Sequence, residues 1–363
     1  MKYLIIIPTY DEAENIVKIV PEVLAQDENV DILVVDDNSP DKTADLVEKL
    51  PGFGKRIFIL KRKGKLGLGT AYMDGFTWAM KHNYPYVISM DADFSHPPKS
   101  LPTMLKLSQK NPNTIVLGSR YIQGGKIVGW DLKRYANSYV ANFVTRVLLG
   151  LRAKDATAGF KCYPVSFIKS LDFNQLTASG YAFQVEMLYW ASLKNVRILE
   201  FPIVFTDRRA GQSKISGEII KSAKVVFNLF TKQVWVKEFV KFCVVGLICT
   251  VIDWGIYFLI KKFTGWETQE LKQIMKALSF VGSVGVSYLL NRIWTFKSED
   301  KQVLAQAVKF FSMAIVGLGL NNLFFYLSTG YFKLADIIGL IIATALVMFW
   351  NFTVSRFWVF RKN

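Results

Sequence analysis

Two patterns of apolar positions divide the chain. In the first, short hydrophobic runs alternate with stretches of helical spacing. Leu4 to Ile7, Ile32 to Val35, Ile57 to Leu60, Val87 to Met90 and Thr114 to Leu117 are near-continuous apolar runs that read as buried strands. Ile16 to Leu24, Asp41 to Leu50, Gly69 to Lys81 and Leu101 to Leu107 read as helices between them. Such alternation predicts a parallel sheet covered on both faces, a Rossmann-like α/β domain over residues 1–213. Three of the runs end in polar clusters, Pro8-Thr9-Tyr10, Asp36-Asp37-Asn38-Ser39 and Asp91-Ala92-Asp93, which predicts a ligand cleft along one sheet edge.

The second pattern occupies 239–363. Phe239 to Ile260, Ile274 to Leu290, Val308 to Ser328 and Ile337 to Val354 are long enough to cross a bilayer as helices. Trp235, Trp266, Trp294, Tyr331 and Trp358 stand near their ends, as in interfacial belts. Several of these stretches are apolar around the whole helix, which argues against a soluble bundle. The segment also repeats. Lys241-Phe242 and Lys309-Phe310 open equivalent spans, Asp253 answers to Asn321, and Arg292-Ile293-Trp294-Thr295-Phe296-Lys297 answers to Arg356-Phe357-Trp358-Val359-Phe360-Arg361. The expectation is an all-α domain of four transmembrane helices in two hairpins that enter and leave on one side. Lysine and arginine are denser on that side, so the positive-inside rule predicts a multi-pass cell-membrane protein with its N-terminal domain in the cytoplasm. Asp253, within a span, is expected to be paired inside the bundle, an aqueous pocket being the alternative. Residues 214–238 carry apolar positions at helical spacing opposite Lys221, Lys224 and Lys232, the pattern of an amphipathic helix in the headgroup plane. Packing onto the first domain is the competing reading.

Composition sharpens this. A formal charge of +16 would suit nucleic acid, an anionic membrane or a phosphorylated substrate, and the 51% hydrophobic content selects the bilayer over nucleic acid. Leu4 to Ile7 is too short an apolar core for a signal peptide. The three cysteines suggest no disulfide or zinc site. With two histidines, His82 and His96, a mechanism leaning on imidazole has little to work with.

Asp91 and Asp93, two apart on an extended chain with no base between them, can offer oxygen to a hard divalent cation, Mg2+ or Mn2+. Exposed turn acids would look the same. Asp37, at the end of the second strand, could accept hydrogen bonds from a base or ribose. The loop Lys63 to Gly69 is glycine-rich and basic but lacks the P-loop pattern. Arg120, Arg134, Arg208, Arg209 and Lys214 sit in polar contexts, where arginine's fork suits phosphate oxygens.

Together these residues carry a resemblance. Ile5 to Glu12, Val34 to Ser39 and Met90 to Asp93 resemble the fingerprints of family 2 glycosyltransferases with the GT-A fold. Gly118 to Tyr121, Asp155 to Phe160, Gly180 to Met187 and Asp207 to Lys214 resemble polyprenyl-phosphate (dolichol-phosphate) mannose synthases, and the C-terminal half resembles the GtrA-like domain fused to some of them. The resemblance implies transfer of mannose from GDP-mannose to polyprenyl phosphate with inversion. It implies that Pro8, Tyr10, Glu12, Val35, Asp37, Asp91, Ala92 and Asp93 hold the nucleotide and that Asp91 and Asp93 bind metal. Arg120, Arg134 and Ser138 would seat the acceptor phosphate, and Arg208 and Lys214 would close over the phosphates. Some members have glutamine as a further metal ligand where this chain has Ser95. A glucosyltransferase using UDP-glucose is the nearest alternative. A processive synthase is disfavoured, because Gln184 does not begin a Q-x-x-R-W segment. The membrane half is expected to anchor rather than to flip a lipid-linked sugar.

Overall fold

The structure, a computed structural model, describes residues 1–178, 180–207 and 218–361, with 218–220 described by backbone alone. It forms two compact units, Met1–Phe230 and Thr231–Asn363. In the first, the order is β1 (Tyr3–Thr9), α1 (Ala13–Leu24), β2 (Val30–Asp36), α2 (Thr43–Glu48), β3 (Ile57–Lys61), α3 (Leu68–Lys81), β4 (Tyr86–Ser89), α4 (Leu101–Lys110), β5 (Ile115–Ser119), β6 (Lys126–Val128), α5 (Leu132–Leu149), β7 (Lys161–Pro164), α6 (Val165–Lys169), α7 (Ala182–Leu193), β8 (Ile198–Pro202), β9 (Val204–Thr206) and α8 (Glu218–Lys232).

The main sheet runs β3-β2-β1-β4-β7-β5-β8. Alternate residues of β1 face opposite sides: Ile5 and Ile7 join the core beneath α1 and α4, while Leu4 and Ile6 join the core beneath α3 and α7. Both faces are therefore dry, and this is why the strands read as unbroken apolar runs. The sheet departs from the all-parallel expectation at one strand. β7 runs antiparallel to both β4 and β5. It is four residues long and opens with Lys161, so it leaves no hydrophobic run to read.

This topology builds the cleft. β1 lies between β2 and β4 and parallel to both, and β5 runs the same way across β7. Their C-terminal ends, and the N-terminal end of β7, consequently lie along one edge. That edge gathers Tyr10, Asp37, Asp91, Arg120 and the turn before Lys161. The loops after β1 and β2 are tied together there: Asp36 accepts from Thr9 Oγ1 at 2.9 Å and from Ser39 Oγ at 2.6 Å, and Asp41 accepts from the Ala13 amide at 2.9 Å.

The helix expected over 214–238 divides in the structure. α8 ends at Lys232, and a new helix begins at Val234. Val226 and Leu229 of α8 are buried with Leu117, Leu149 and Leu188 of the first unit. Its apolar face is therefore turned in part onto that domain, whereas Phe227 remains 63% exposed.

The second unit consists of α9 (Val234–Thr264), α10 (Gln269–Leu290), α11 (Val303–Tyr326) and α12 (Asp336–Val354). With the π-helical turns that extend the last three, these are four helices long and apolar enough to cross a membrane. The sequence repeat is a structural repeat. Phe296 and its counterpart Phe360 stack at 4.9 Å, flanked by Phe352 on Phe296 at 6.1 Å and Tyr288 on Phe360 at 6.0 Å. The repeats also exchange polar partners: Arg356 pairs with Glu238 at 3.0 Å, and Arg292 donates to Gln306, the counterpart of Glu238. Lys241 lies over Trp294 and Lys309 over Trp358, at 5.4 and 5.9 Å. Asp253 departs from expectation. Among the described residues its buried Oδ1 has no hydrogen-bond partner and its carboxylate no ion pair, and the side chain lines a groove.

Candidate active site

The D-x-D segment leaves β4 through a tight turn in which Phe94 holds a left-handed φ of 64°, a conformation a bulky residue adopts only under constraint. The turn is pinned from within: the Ser95 amide donates to Asp93 Oδ1 at 3.1 Å, and the Asp91 amide donates to His96 Nδ1 at 3.0 Å. Because Nδ1 accepts, the proton of the neutral ring belongs on Nε2, which stands 3.8 Å from Asp91 Oδ2. Burial pushes the His96 pKa down against the opposing pull of Asp91 and Asp93, consistent with that neutral ring. The ring stacks on Phe160 at 5.3 Å. Gly159 makes room for it, since a Cβ there would meet His96 Cε1 at 2.9 Å. His96 is thus a support for Asp91. His82 stacks on Trp78 at the far end of α3. Neither histidine is placed as a general base.

Asp91 and Asp93 supply oxygen only, and the Asp91 side chain is one-third exposed toward the cleft. The described residues contain no cluster of three or more His, Cys, Asp or Glu side chains. Two carboxylates with open positions beside them fit a cation completed by water and substrate phosphate, the usual arrangement for Mg2+. Ser95 is buried in the same turn.

On the nucleotide side, the Asp37 carboxylate is already engaged. Oδ1 accepts from Arg62 Nη1 at 2.5 Å, and Oδ2 accepts from the Leu66 and Gly67 amides at 3.2 Å each. Arg62, buried and absent from the sequence reading, also reaches Asp74 and Thr70. The glycine-rich loop therefore wraps Asp37, whose carboxylate retains lone pairs for a further donor. From the same loop Lys65 lies 4.0 Å over the Tyr10 ring. Pro8 and Val35 are opposite one another in the β1–β2 register, and the Glu12 carboxylate accepts from Asn15 at 2.7 Å.

On the other side, Arg120 leaves β5 and meets Asp155, with Nε on Oδ2 at 2.8 Å and Nη2 on Oδ1 at 2.7 Å; Nη2 also donates to Thr157. Burial alone would raise the Asp155 carboxyl, but the Arg120 guanidinium outweighs it and holds that pKa below its ordinary value. Arg120 is ringed by Tyr121, Trp130 and Phe205. α5 begins at an Asp131 N-cap and carries Arg134 and Ser138 one turn apart. Arg134 pairs with Asp207 at 2.7 Å and stacks over Trp130 at 4.5 Å, while Ser138 shares a 2.9 Å hydrogen bond with the Tyr121 hydroxyl. The three expected acceptor residues therefore form one patch. Arg208, Arg209 and Lys214 lie outside the described residues.

Lys161 was also missed by the sequence reading. It is fully buried behind this patch, where Nζ donates to Ala158 O, to Gln184 O at 3.1 Å and to Gln184 Oε1 at 2.9 Å. Burial brings its pKa down to about 7. It joins the turn before β7 to α7, two of the segments that resemble those of polyprenyl-phosphate mannose synthases.

A mostly parallel α/β sheet with D-x-D at its edge, followed by four apolar helices, defines a membrane-attached nucleotide-sugar transferase architecture. Residues 4–171 match glycosyl transferase family 2, and residues 241–360 match the GtrA/DPMS transmembrane domain. The chain belongs to glycosyl transferase family 2, in the branch that includes the polyprenyl-phosphate mannose synthases. It is 37% identical over 225 residues to undecaprenyl-phosphate mannosyltransferase of Micrococcus luteus, covering 62% of this chain and 92% of that relative. It is 38% identical over 221 residues to polyprenol monophosphomannose synthase of Mycolicibacterium smegmatis, covering 61% and 83%. Among solved structures, glucosyl-3-phosphoglycerate synthase of Mycobacterium tuberculosis with bound UDP is similar at a TM-score of 0.47 and 16% identity, over 63% of this chain and 79% of that one.

Proposed function

We propose that this chain transfers mannose from GDP-mannose to the phosphate of a polyprenyl (dolichyl) phosphate, with inversion, at the cytoplasmic membrane face. The observation that carries the lipid acceptor is α5. Arg134 and Ser138 lie on the side that also bears the buried Asn142, Thr145 and Leu149, whereas Leu132, Val140, Phe143 and Val147 on the opposite side are 83, 57, 55 and 64% exposed. An exposed apolar row on a domain attached to membrane helices suits contact with a bilayer. The same helix then offers phosphate ligands on one side and lipid contact on the other. The two named relatives support mannose and a polyprenyl acceptor.

The reaction makes modest demands. A phosphate monoester is largely dianionic at neutral pH and needs no general base, in keeping with the two occupied histidines. Its oxygen attacks the anomeric carbon as the bond to the donor diphosphate breaks. Arg120, oriented by Asp155, together with Arg134 and Ser138 would hold the acceptor and reduce its repulsion from the donor. Pro8, Tyr10, Glu12, Val35, Asp37 and Ala92 would seat the nucleotide, and Arg208 and Lys214 would close over the phosphates. Mg2+ or Mn2+ held by Asp91 and Asp93, with Ser95 at hand, would neutralise charge on the departing diphosphate. The membrane domain would anchor the enzyme beside its acceptor.

The test is incubation of the purified full-length protein with polyprenyl phosphate and radiolabelled GDP-mannose or UDP-glucose, with and without EDTA. Labelled lipid from GDP-mannose alone, lost in EDTA, is expected. Labelling from UDP-glucose alone overturns the donor assignment, and undiminished labelling in EDTA overturns the metal role.

A further inference from the structure

We propose that the first membrane hairpin carries a binding site for a lipid headgroup that bears both a phosphate and sugar-type hydroxyls, separate from the transfer site. A groove of about 790 Å3 lies between α9 and α10 near their connecting loop. Asp253, Trp254 and Tyr257 line it from α9, and Lys272, Gln273 and Lys276 line it from α10. All six belong to helices apolar enough to span a bilayer. Placing a charge within such a helix costs roughly 2.5–3.5 kcal/mol or more, so charged residues there usually have partners or a task. Here Asp253 is half-buried in the groove wall, and among the described residues neither it nor either lysine forms an ion pair.

The repeat supplies an internal control. The equivalent positions of the second hairpin are Asn321, Asn322 and Phe325 on α11, and Asp336, Ile337 and Leu340 on α12. That hairpin keeps the helices, the π-helical turn and the aromatic stack without either lysine. The hairpin fold therefore does not require them. Snorkelling toward the interface accounts for lysines being tolerated near a helix end, but not for a half-buried carboxylate in the facing helix without an ion-pair partner among the described residues.

The chemistry of the vacant valences names the ligand. An ionised carboxylate only accepts hydrogen bonds and an ammonium only donates them. A headgroup satisfying both must present hydroxyl donors beside anionic oxygens, as a glycosyl or polyol phosphate does. Phosphatidate offers the anion alone, and a choline headgroup offers no hydroxyl. Trp254 and Tyr257 add the amphipathic rings typical of the interfacial zone. Because the groove adjoins the loop, it would take its lipid from the leaflet opposite the hairpin termini.

Full-length protein in phosphatidylcholine nanodiscs, doped with a photoactivatable phosphatidylinositol, tests this by mass-spectrometric mapping of the crosslinks. Labelling should concentrate on α9 and α10 near residues 253–276, resist competition by inorganic phosphate, and be competed better by phosphatidylinositol than by phosphatidate. Lys272→Gln with Lys276→Gln should reduce it roughly thirtyfold, taking about 1 kcal/mol per lysine. Lys272→Arg with Lys276→Arg should retain it, as should Lys333→Gln in the second hairpin. Asp253→Asn should abolish the preference over phosphatidate. Equal labelling of both hairpins, or labelling unchanged in the double glutamine variant, overturns the proposal. Competition by inorganic phosphate at equal potency overturns the lipid source. Mannose transfer assayed in parallel is expected to persist in the glutamine variant, so failure of this site and failure of the transfer reading are separately visible.

Discussion

Arg120 and Asp155 meet side by side, guanidinium to carboxylate, at 2.7 and 2.8 Å, with both groups almost wholly buried at the edge of the sheet. The pair converts a flexible arginine into a fixed donor at the cleft. Removing one member strands the other charge. Asp155→Ala is expected to destabilise the domain by about 3–5 kcal/mol and to abolish transfer. Arg120→Lys, which keeps the charge but loses the fork, should fold better yet raise KM for the lipid acceptor much more than for the nucleotide sugar. Thermal unfolding alongside steady-state kinetics with each substrate varied checks both.

Asp93 stands in the turn that follows β4, where its carboxylate accepts from the Ser95 amide at the edge of the cleft. Asp93→Ala should leave the circular dichroism spectrum unchanged and lower the transfer rate by about a hundredfold or more. Mn2+ titration followed by paramagnetic resonance should show the loss of the bound ion.

Gly159 faces a ring that cannot yield easily, because His96 is stacked on Phe160 and tied to the Asp91 amide. Gly159→Ala should push the imidazole, and Asp91 with it. Activity is expected to fall by on the order of a hundredfold, with only a small change in melting temperature. Weakened Mn2+ affinity in the same variant would separate this from general unfolding.

Lys161 gives the fold a pH dependence of definite sign. Its folded pKa of about 7 lies below the ordinary lysine value of 10.5. Between these values the unfolded chain binds a proton that the folded chain has released, so stability rises with pH across that window. The slope from this one group is at most about 1.4 kcal/mol per pH unit. Below about pH 7 the proton is bound in both states and the slope vanishes. Denaturant titrations of wild type and Lys161→Met from pH 6 to 9.5 should show the increment in the wild type alone.

In the membrane unit, the exchange between repeats sets an asymmetric tolerance. Glu238 faces Arg356 where the second repeat places Gln306 against Arg292. Glu238→Gln should therefore cost less than about 1 kcal/mol, as a neutral hydrogen bond replaces an ion pair. Arg356→Met should cost several times more by leaving the Glu238 carboxylate buried and unmatched. Melting of detergent-solubilised protein ranks the two.

Much of the architecture was legible because burial leaves long marks. β1, β2 and β4 are dry on both faces, and four helices face lipid, so both kinds of element appear as runs that no loop would carry. The repeat was legible too, down to the Phe296 and Phe360 positions. The D-x-D turn was read from its spacing and Arg134 from its polar context, whereas Ser138 was reached through family resemblance; the structure sets Ser138 on the Tyr121 hydroxyl and Arg134 over Trp130. β7 was hidden by its length and by Lys161. α5 was hidden because its apolar residues are exposed, so they frame no core.

The sequence by itself determined the two-part plan, the edge on which polar residues collect and the doubled hairpin. All three follow from local periodicity, which burial and bilayer thickness impose directly on neighbouring residues. Only the tertiary structure decided that Arg62 occupies Asp37, that Asp155 fixes Arg120, that His96 supports Asp91 in its neutral form, and that Asp253 lines a groove. Each of these is a meeting of charges or rings brought together by chain topology, and hydrogen-bond geometry across such distances leaves no periodic trace in a sequence.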